Sequence, residues 1–264
     1  MLLFKTHRTL RLLWLLCAGI ATGHADMVFA ESAPSAQTIN VSGRQRMLTQ
    51  RIVKAYVQLG VGIAPEVSRL QLSDAVRLFE NQLARLKRGV MDSQSRRMLA
   101  GMEQQWQGFR KLATGPVARG NLETLMGMGE KLLSVSQELT LALQSRSATP
   151  GTRLVEVSGR QRMLSQRLAK YYLARAWGEQ SAADAREMGS ARTEFEGALA
   201  ILRDSPRNTP QIKRELDAVA VQWEWFKVAL MQEGAASYGL VVTHASEAIL
   251  NSMELITTLY EKLE

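Results

Sequence analysis

A ten-residue segment that occurs twice constrains the fold of this chain more than any other feature. Residues 42–51 read SGRQRMLTQR and residues 158–167 read SGRQRMLSQR, so only Thr49 and Ser165 differ. Further matches follow nearly the same spacing: Phe79 with Phe195, and Trp106 with Trp223. A repeat of this length over most of the chain predicts two copies of one supersecondary unit.

Prolines divide each copy into four segments. They stand at Pro34, Pro65, Pro116, Pro150, Pro206 and Pro210. A proline inside a helix costs about 3 kcal/mol, so these positions predict helix ends. Together with glycine breaks they delimit eight segments, at residues 39–60, 66–88, 92–113, 118–146, 153–177, 181–203, 210–232 and 236–263.

Apolar residues recur three and four positions apart in these segments, which is typical of amphipathic helices. Short connections favour antiparallel neighbours. The predicted fold class is therefore all-α, with two tandem antiparallel four-helix bundles. Whether the last helix of the first copy continues into the first helix of the second is left open by the sequence.

The N-terminal thirty residues have the composition of an export signal. Lys5, Arg8 and Arg11 precede an apolar run that is shorter than the roughly 20 residues needed to span a bilayer, and small residues follow it. We expect cleavage after Ala30, with Ala25 as the other candidate, and a periplasmic mature protein. The alternative is an uncleaved segment that anchors the chain in the inner membrane. The predicted domains are 1–30, 31–148 and 149–264.

Composition argues against several classes of function. His244 is the only histidine outside the predicted signal, which argues against a histidine-based metal site, and no nucleophile elbow or glycine-rich phosphate loop accompanies it. The formal net charge of +8 would suit a small anion or acidic lipid better than nucleic acid in an exported protein. We expect a non-enzymatic protein with no cofactor and no nucleic-acid partner.

Drawn as a helix, the repeated segment has two different faces. One side is apolar and predicts a core face: Val41, Leu48, Ile52, Ala55 and Leu59. The other side is mixed: Gly43, Arg46, Met47, Gln50 and Lys54. A solvated charged face is the ordinary interpretation of such a stripe. A glycine inside a helix costs about 1 kcal/mol relative to alanine, however, which favours close approach of another backbone or a ligand.

Arginine in such a position suits a planar oxyanion, because its guanidinium donates two parallel hydrogen bonds in one plane. Arg46 and Arg162 are therefore the leading candidates for anion binding. Arg51 and Arg167 lie about 140° around the helix from them. We expect these two to support the site or to pair with acidic side chains.

The pattern Gly-x-x-Arg-Met, with a further arginine five residues after the first, resembles the PilJ-type N-terminal domain of chemotaxis transducers. That family is similar to the periplasmic nitrate/nitrite sensor domains of histidine kinases, in which the motif arginines of two subunits grip one nitrate. The resemblance implies ligand-binding roles for Gly43, Arg46, Met47, Gln50, Gly159, Arg162, Met163 and Gln166. Because one chain carries both copies, they would form an internal pseudo-dimer with one anion between Arg46 and Arg162.

The implied function is an exported sensor of a small oxyanion, nitrate or nitrite first, that reports to a membrane-bound signalling protein. The alternative is a ligand-independent helical adaptor for a chemoreceptor, a sensor kinase or a type IV pilus system. A weaker alternative is adhesion to anionic lipid. Trp106, Trp223, Trp225 and Phe226 are expected to pack in the helical core.

Overall fold

The computed structural model describes residues 33–90, 92–147, 149–179, 181–232 and 236–263. The predicted signal, residues 1–30, lies outside the described residues, so export and cleavage stay predictions. Within these described ranges eight α-helices follow one another: α1 (Ala36–Val61), α2 (Pro65–Gly89), α3 (Ser93–Ala113), α4 (Leu122–Ser145), α5 (Pro150–Ala176), α6 (Ala182–Arg203), α7 (Pro210–Met231) and α8 (Ala236–Glu261). The described ranges contain no strand, and none of their helices has the length and apolar character required to cross a membrane.

The all-α prediction is confirmed, and each predicted segment agrees with a helix to within about one turn. Pro65, Pro150 and Pro210 open α2, α5 and α7, where a missing backbone N–H costs nothing. Thr149 caps α5 in a reciprocal capping box with Thr152. The last helix of the first repeat and the first helix of the second are therefore separate helices.

Each repeat is a four-helix bundle built around its first helix. In the first repeat α1 packs on α2 and α4, and α3 packs on α4; α5, α6, α7 and α8 repeat this arrangement. Equivalent aromatic pairs stack in the two cores, Phe79 on Trp106 and Phe195 on Trp223, with ring centroids 4.0 and 4.1 Å apart. The duplicated sequence therefore produces duplicated packing.

The prediction that all the third-helix aromatics lie in the core is wrong for Trp225. Trp106, Trp223 and Phe226 are buried, but Trp225 is 72% exposed. Two residues of helix turn Trp225 about 200° away from Trp223, so that it points outward from the same helix.

The two repeats meet through their first helices, and α1 with α5 is the most extensive helix pair in the described structure. The two helices run in the same direction. Gly60, at the end of α1, packs against Trp177, which follows α5, and Ser35 and Thr152 line one cavity where both helices begin. The repeats thus face each other as the internal pseudo-dimer that the duplication predicts.

This arrangement buries α1 on both of its faces. Between residues 39 and 58 only Arg44 and Arg51 retain partial exposure. The mixed face of the motif is therefore not a solvated surface, and that interpretation is wrong for α1.

Candidate functional site

The residues expected to bind a ligand lie where α1 and α5 face each other and their neighbouring helices. Arg46 and Arg162 have an exposed fraction of 0%, and so have Lys54 and Lys170. Burying an unpaired charge costs several kcal/mol, so the partners of these four cations determine what the interface can do.

Each motif guanidinium folds back over the glycine three residues before it. Arg46 Nε donates to the carbonyl oxygen of Gly43 over 3.3 Å, and Arg162 Nε donates to that of Gly159 over 3.4 Å. A Cβ atom added to either glycine would stand 2.9 Å from Nη2 of the arginine of the same copy. The glycine therefore makes room for an arginine of its own helix, where another backbone or a ligand was expected.

Arg46 is held by one side chain from its own repeat and one from the other. Its Nη1 donates to Gln137 Oε1 of α4 over 2.6 Å and to Glu156 Oε1 of α5 over 2.8 Å. Its Nη2 is buried and has no hydrogen-bond partner among the described residues. The Arg46 guanidinium thus carries an unused donor in the interior of the protein.

Arg162 uses the equivalent atoms differently. Its Nη1 donates to Glu254 of α8, and its Nη2 donates to Asn40 Oδ1 of α1. Asn40 occupies the position in the first repeat that Glu156 occupies in the second, and Gln137 similarly corresponds to Glu254. Each arginine therefore meets one carboxylate and one amide, but Arg46 takes its carboxylate from the other repeat and Arg162 from its own.

Two further ion-pair clusters join the repeats. Glu247 of α8 accepts from Lys54 Nζ and from Arg51 Nη2 of the first repeat, each over 2.6 Å. In the equivalent cluster Glu130 of α4 accepts from Lys170 Nζ at 2.6 Å.

Arg51 and Arg167, expected to support the site or to pair with acids, are both paired with carboxylates. Arg167 Nη2 lies 3.0 Å from Glu130 and 2.6 Å from Glu187. We call the clusters of Lys54, Arg51 and Glu247, and of Lys170, Arg167 and Glu130, the cross-repeat clamps.

Burial dominates the electrostatics of the clamps. It lowers the pKa of Lys54 and of Lys170 to about 8, although the neighbouring glutamates oppose this shift. Burial would raise the pKa of Glu247, but the charges of Lys54 and Arg51 lower it overall. Within the clamps, the lysines are therefore the groups whose charged form burial disfavours on balance.

Burial also lowers the pKa of both motif arginines. For Arg162 the positive charges of Arg44 and Arg46 add to this effect, and for Arg46 the carboxylate of Glu156 partly offsets it. The motif arginines of the two repeats are thus close enough to repel each other, which an anion between or beside them would relieve.

The remaining residues expected at the site lie among the core side chains. Met47 and Met163 belong to the buried apolar cluster. Gln166 Nε2 donates to the carbonyl oxygen of Ser246 over 3.0 Å, and Gln50 Nε2 lies 3.4 Å from Thr49 Oγ1. The Oε1 atoms of both glutamines have no partner in the described part of the chain. Contact of any of these side chains with a ligand stays a prediction.

Sequence reasoning missed the acidic and amide partners of the buried cations. A signal for one pair was present, because Lys54 and Lys170 recur with the duplication and so do Glu130 and Glu247. Recurrence of opposite charges on first and fourth helices could have indicated an interaction. Glu156 had no such signal, because the first repeat has Asn40 in its place.

The chain is thus a duplicated helical bundle with buried arginines and lysines, paired to glutamates, where the two halves join. The family model described as "Type IV pili methyl-accepting chemotaxis transducer N-term" (PilJ) matches residues 27–135 and 143–248. The chain belongs to this family, and the predicted tandem PilJ resemblance is confirmed. No curated protein and no solved structure matches the chain. The family is a non-catalytic sensory module of chemotaxis transducers, and membership implies association with a membrane signalling partner.

Proposed function

We propose that this protein is exported to the periplasm, binds a small oxyanion at the repeated motif, beside Arg46, and reports occupancy to a membrane-bound signalling protein. Nitrate and nitrite are the first candidates. The observation that carries the proposal is the unpaired Nη2 of the fully buried Arg46, which points away from solvent beside Gly43. A buried donor without a partner costs about 1–3 kcal/mol, and more when it is charged, so an acceptor added at this atom would relieve that cost.

An anion at Arg46 would compete with Glu156. The Arg46–Glu156 pair is already neutral, and a second negative charge beside it would be buried without a partner, which is costly. Binding therefore favours release of Glu156 from Arg46. Because Glu156 belongs to α5 and Arg46 to α1, occupancy changes a contact between the two repeats, and such differential affinity is what lets a ligand shift a conformational equilibrium.

Thermal unfolding of the purified protein in nitrate, nitrite, sulfate and chloride at constant ionic strength tests the proposal. A ligand at a hundred times its Kd stabilises the folded state by about 2.7 kcal/mol, which gives a clear rise in Tm. Arg46→Lys keeps a positive charge but loses the planar pair of donors, so it should abolish the rise. The proposal fails if no anion raises the Tm, or if Arg46→Lys retains the full effect.

A second candidate is the ligand-independent adaptor, and one surface favours it. Val221, Trp225 and Val228 form an exposed apolar stripe on α7, with exposed fractions of 60, 72 and 50%. The equivalent positions of α3 hold Gln104, Gly108 and Lys111. Capture of a chemoreceptor, kinase or pilus component that is unchanged by nitrate and lost in Trp225→Ser would favour this function over anion sensing.

A further inference from the structure

We infer that the two repeats are not equivalent as anion sites: Arg46 binds the anion, and in the other repeat Asn40 occupies the corresponding nitrogen, Nη2 of Arg162. This inference rests on the proposed function and specifies which half of the duplicated site performs it. The shared site between both arginines that the sequence led us to expect is thereby replaced by a single site in the first repeat.

The hydrogen bonds of the two guanidinium groups carry the inference. All three nitrogens of Arg162 have acceptors: Nε has the Gly159 carbonyl, Nη1 has Glu254 and Nη2 has Asn40. Among the described residues, Arg46 has acceptors on Nε and Nη1 only, so both N–H groups of its Nη2 are unused. Each guanidinium thus uses three of its five N–H donors. An anion can bind both N–H groups of Nη2 on Arg46, whereas on Arg162 it must share each Nη nitrogen with an acceptor that is already in place.

Asn40 is held in the orientation that directs its Oδ1 at Arg162 Nη2. Its Nδ2 donates to Glu261 Oε1 of α8 over 2.8 Å, which leaves Oδ1 to accept from Arg162 Nη2. A neutral amide satisfies that donor without adding a second negative charge beside Glu254. Glu156, at the equivalent position, reaches Nη1 of Arg46 and leaves Nη2 unused.

The ion pairs of Glu254 and Glu156 also favour Arg46 over Arg162 as the anion site. Glu254 interacts with two guanidinium groups, those of Arg162 and Arg44, so its release would break two ion pairs at once. Glu156 pairs with Arg46. Gln137, which also accepts from Arg160 Nη1 over 2.7 Å, is neutral and can remain in place when an anion arrives.

Calorimetric titration of nitrate into the wild type and into Arg46→Lys and Arg162→Lys tests the asymmetry, because the two substitutions are chemically identical and stand in the same sequence context. We expect one nitrate per wild-type chain, at least a tenfold loss of affinity in Arg46→Lys, and a change of less than about threefold in Arg162→Lys, since only the former loses the binding fork. Equal losses would show a shared site and overturn the inference while the proposed function stands. If the wild type binds none of nitrate, nitrite and sulfate, both fail.

The number of nitrates bound per chain provides an independent test, because it can rise in a variant and does not rely on a loss of affinity. Asn40→Ala removes the acceptor from Arg162 Nη2, and we expect it to raise the stoichiometry from one nitrate to two. A single site in Asn40→Ala with unchanged helical content would contradict the role assigned to Asn40.

Discussion

At the scale of single residues, the motif glycines leave space for the arginine side chain three residues later. Gly43 and Gly159 lie under the guanidinium groups of Arg46 and Arg162, which bend back along the helix and bond to the glycine carbonyls. A side chain at the glycine would occupy the volume that the guanidinium needs. The motif spacing of three residues is thus set by the length of an arginine side chain lying along one turn of helix.

Gly43→Ala should therefore destabilise the protein although alanine is the better helix former. The new Cβ would displace an Arg46 side chain that is pinned by Gln137 and Glu156, and we expect a net loss of about 1–2 kcal/mol. Urea unfolding followed by circular dichroism measures it. Gly127→Ala is the matched control, because an added Cβ there meets open space and should stabilise by up to about 1 kcal/mol. Similar gains in both variants would refute this role for Gly43.

At the scale of helices, α1 and α5 are joined along their length and at one end. Arg46 of α1 pairs with Glu156 of α5, and Gly60 packs against Trp177 at the end where both helices stop. Trp177 also lies beside Tyr56, with ring centroids 6.0 Å apart. The Trp177 ring of the second repeat thus occupies the space that a side chain at Gly60 of the first repeat would fill. This contact sets the distance between the helices.

A methyl group at Gly60 should separate the ends of these helices. Its position coincides with the Trp177 ring, so we expect Gly60→Ala to cost about 1–3 kcal/mol through overpacking. In a Trp177→Ala background the same change should cost little, which a double-mutant cycle of unfolding free energies detects as a coupling. Gly101→Ala, where a Cβ meets nothing, is the control. Additive effects of Gly60→Ala and Trp177→Ala would argue against direct packing of the two repeats at this end.

At the scale of the whole molecule, folding requires four cations to be buried between two halves of one chain. Lys54 and Lys170 are the most sensitive of these to pH, because burial lowers their pKa from 10.5 to about 8. Below pH 8 both the folded and unfolded chains hold these protons, and the cost of burying the charges is present in full. Between pH 8 and 10.5 the unfolded chain retains protons that the folded chain has released, so raising the pH favours folding.

The stability of the wild type should therefore rise with pH relative to the variant Lys54→Met, Lys170→Met. The expected relative gain is at most about 1.4 kcal/mol per pH unit for each lysine between pH 8 and 10. Urea unfolding of both proteins at pH 7.5, 8.5 and 9.5 measures the difference, in which the titration of other groups cancels. The control Lys213→Met, at an exposed position, should give a curve of unfolding free energy against pH that is parallel to that of the wild type. A parallel curve for the double variant would mean that the buried lysines do not titrate in this window.

The sequence was sufficient to predict the helices and the two different faces of the motif helix, but not the partners of the motif. Pro65, Pro150 and Pro210 determine helix starts locally, and helical periodicity places Arg46 opposite the core face of α1. The partner of Arg46 is Glu156, more than a hundred residues away, and it is determined by which turn of α5 meets α1. Periodicity assigns a residue to a face of a helix but not to a neighbour, which is also why Trp225 was misplaced.

The short connection between α4 and α5 has a consequence for how such a receptor can evolve. In a homodimer every substitution appears in both subunits, so the two halves of a site on the symmetry axis must remain alike. When the halves are encoded one after the other, Asn40 and Glu156, or Gln137 and Glu254, are free to diverge. Tethering also keeps the halves together at any dilution, so the response would not depend on how much protein the cell makes.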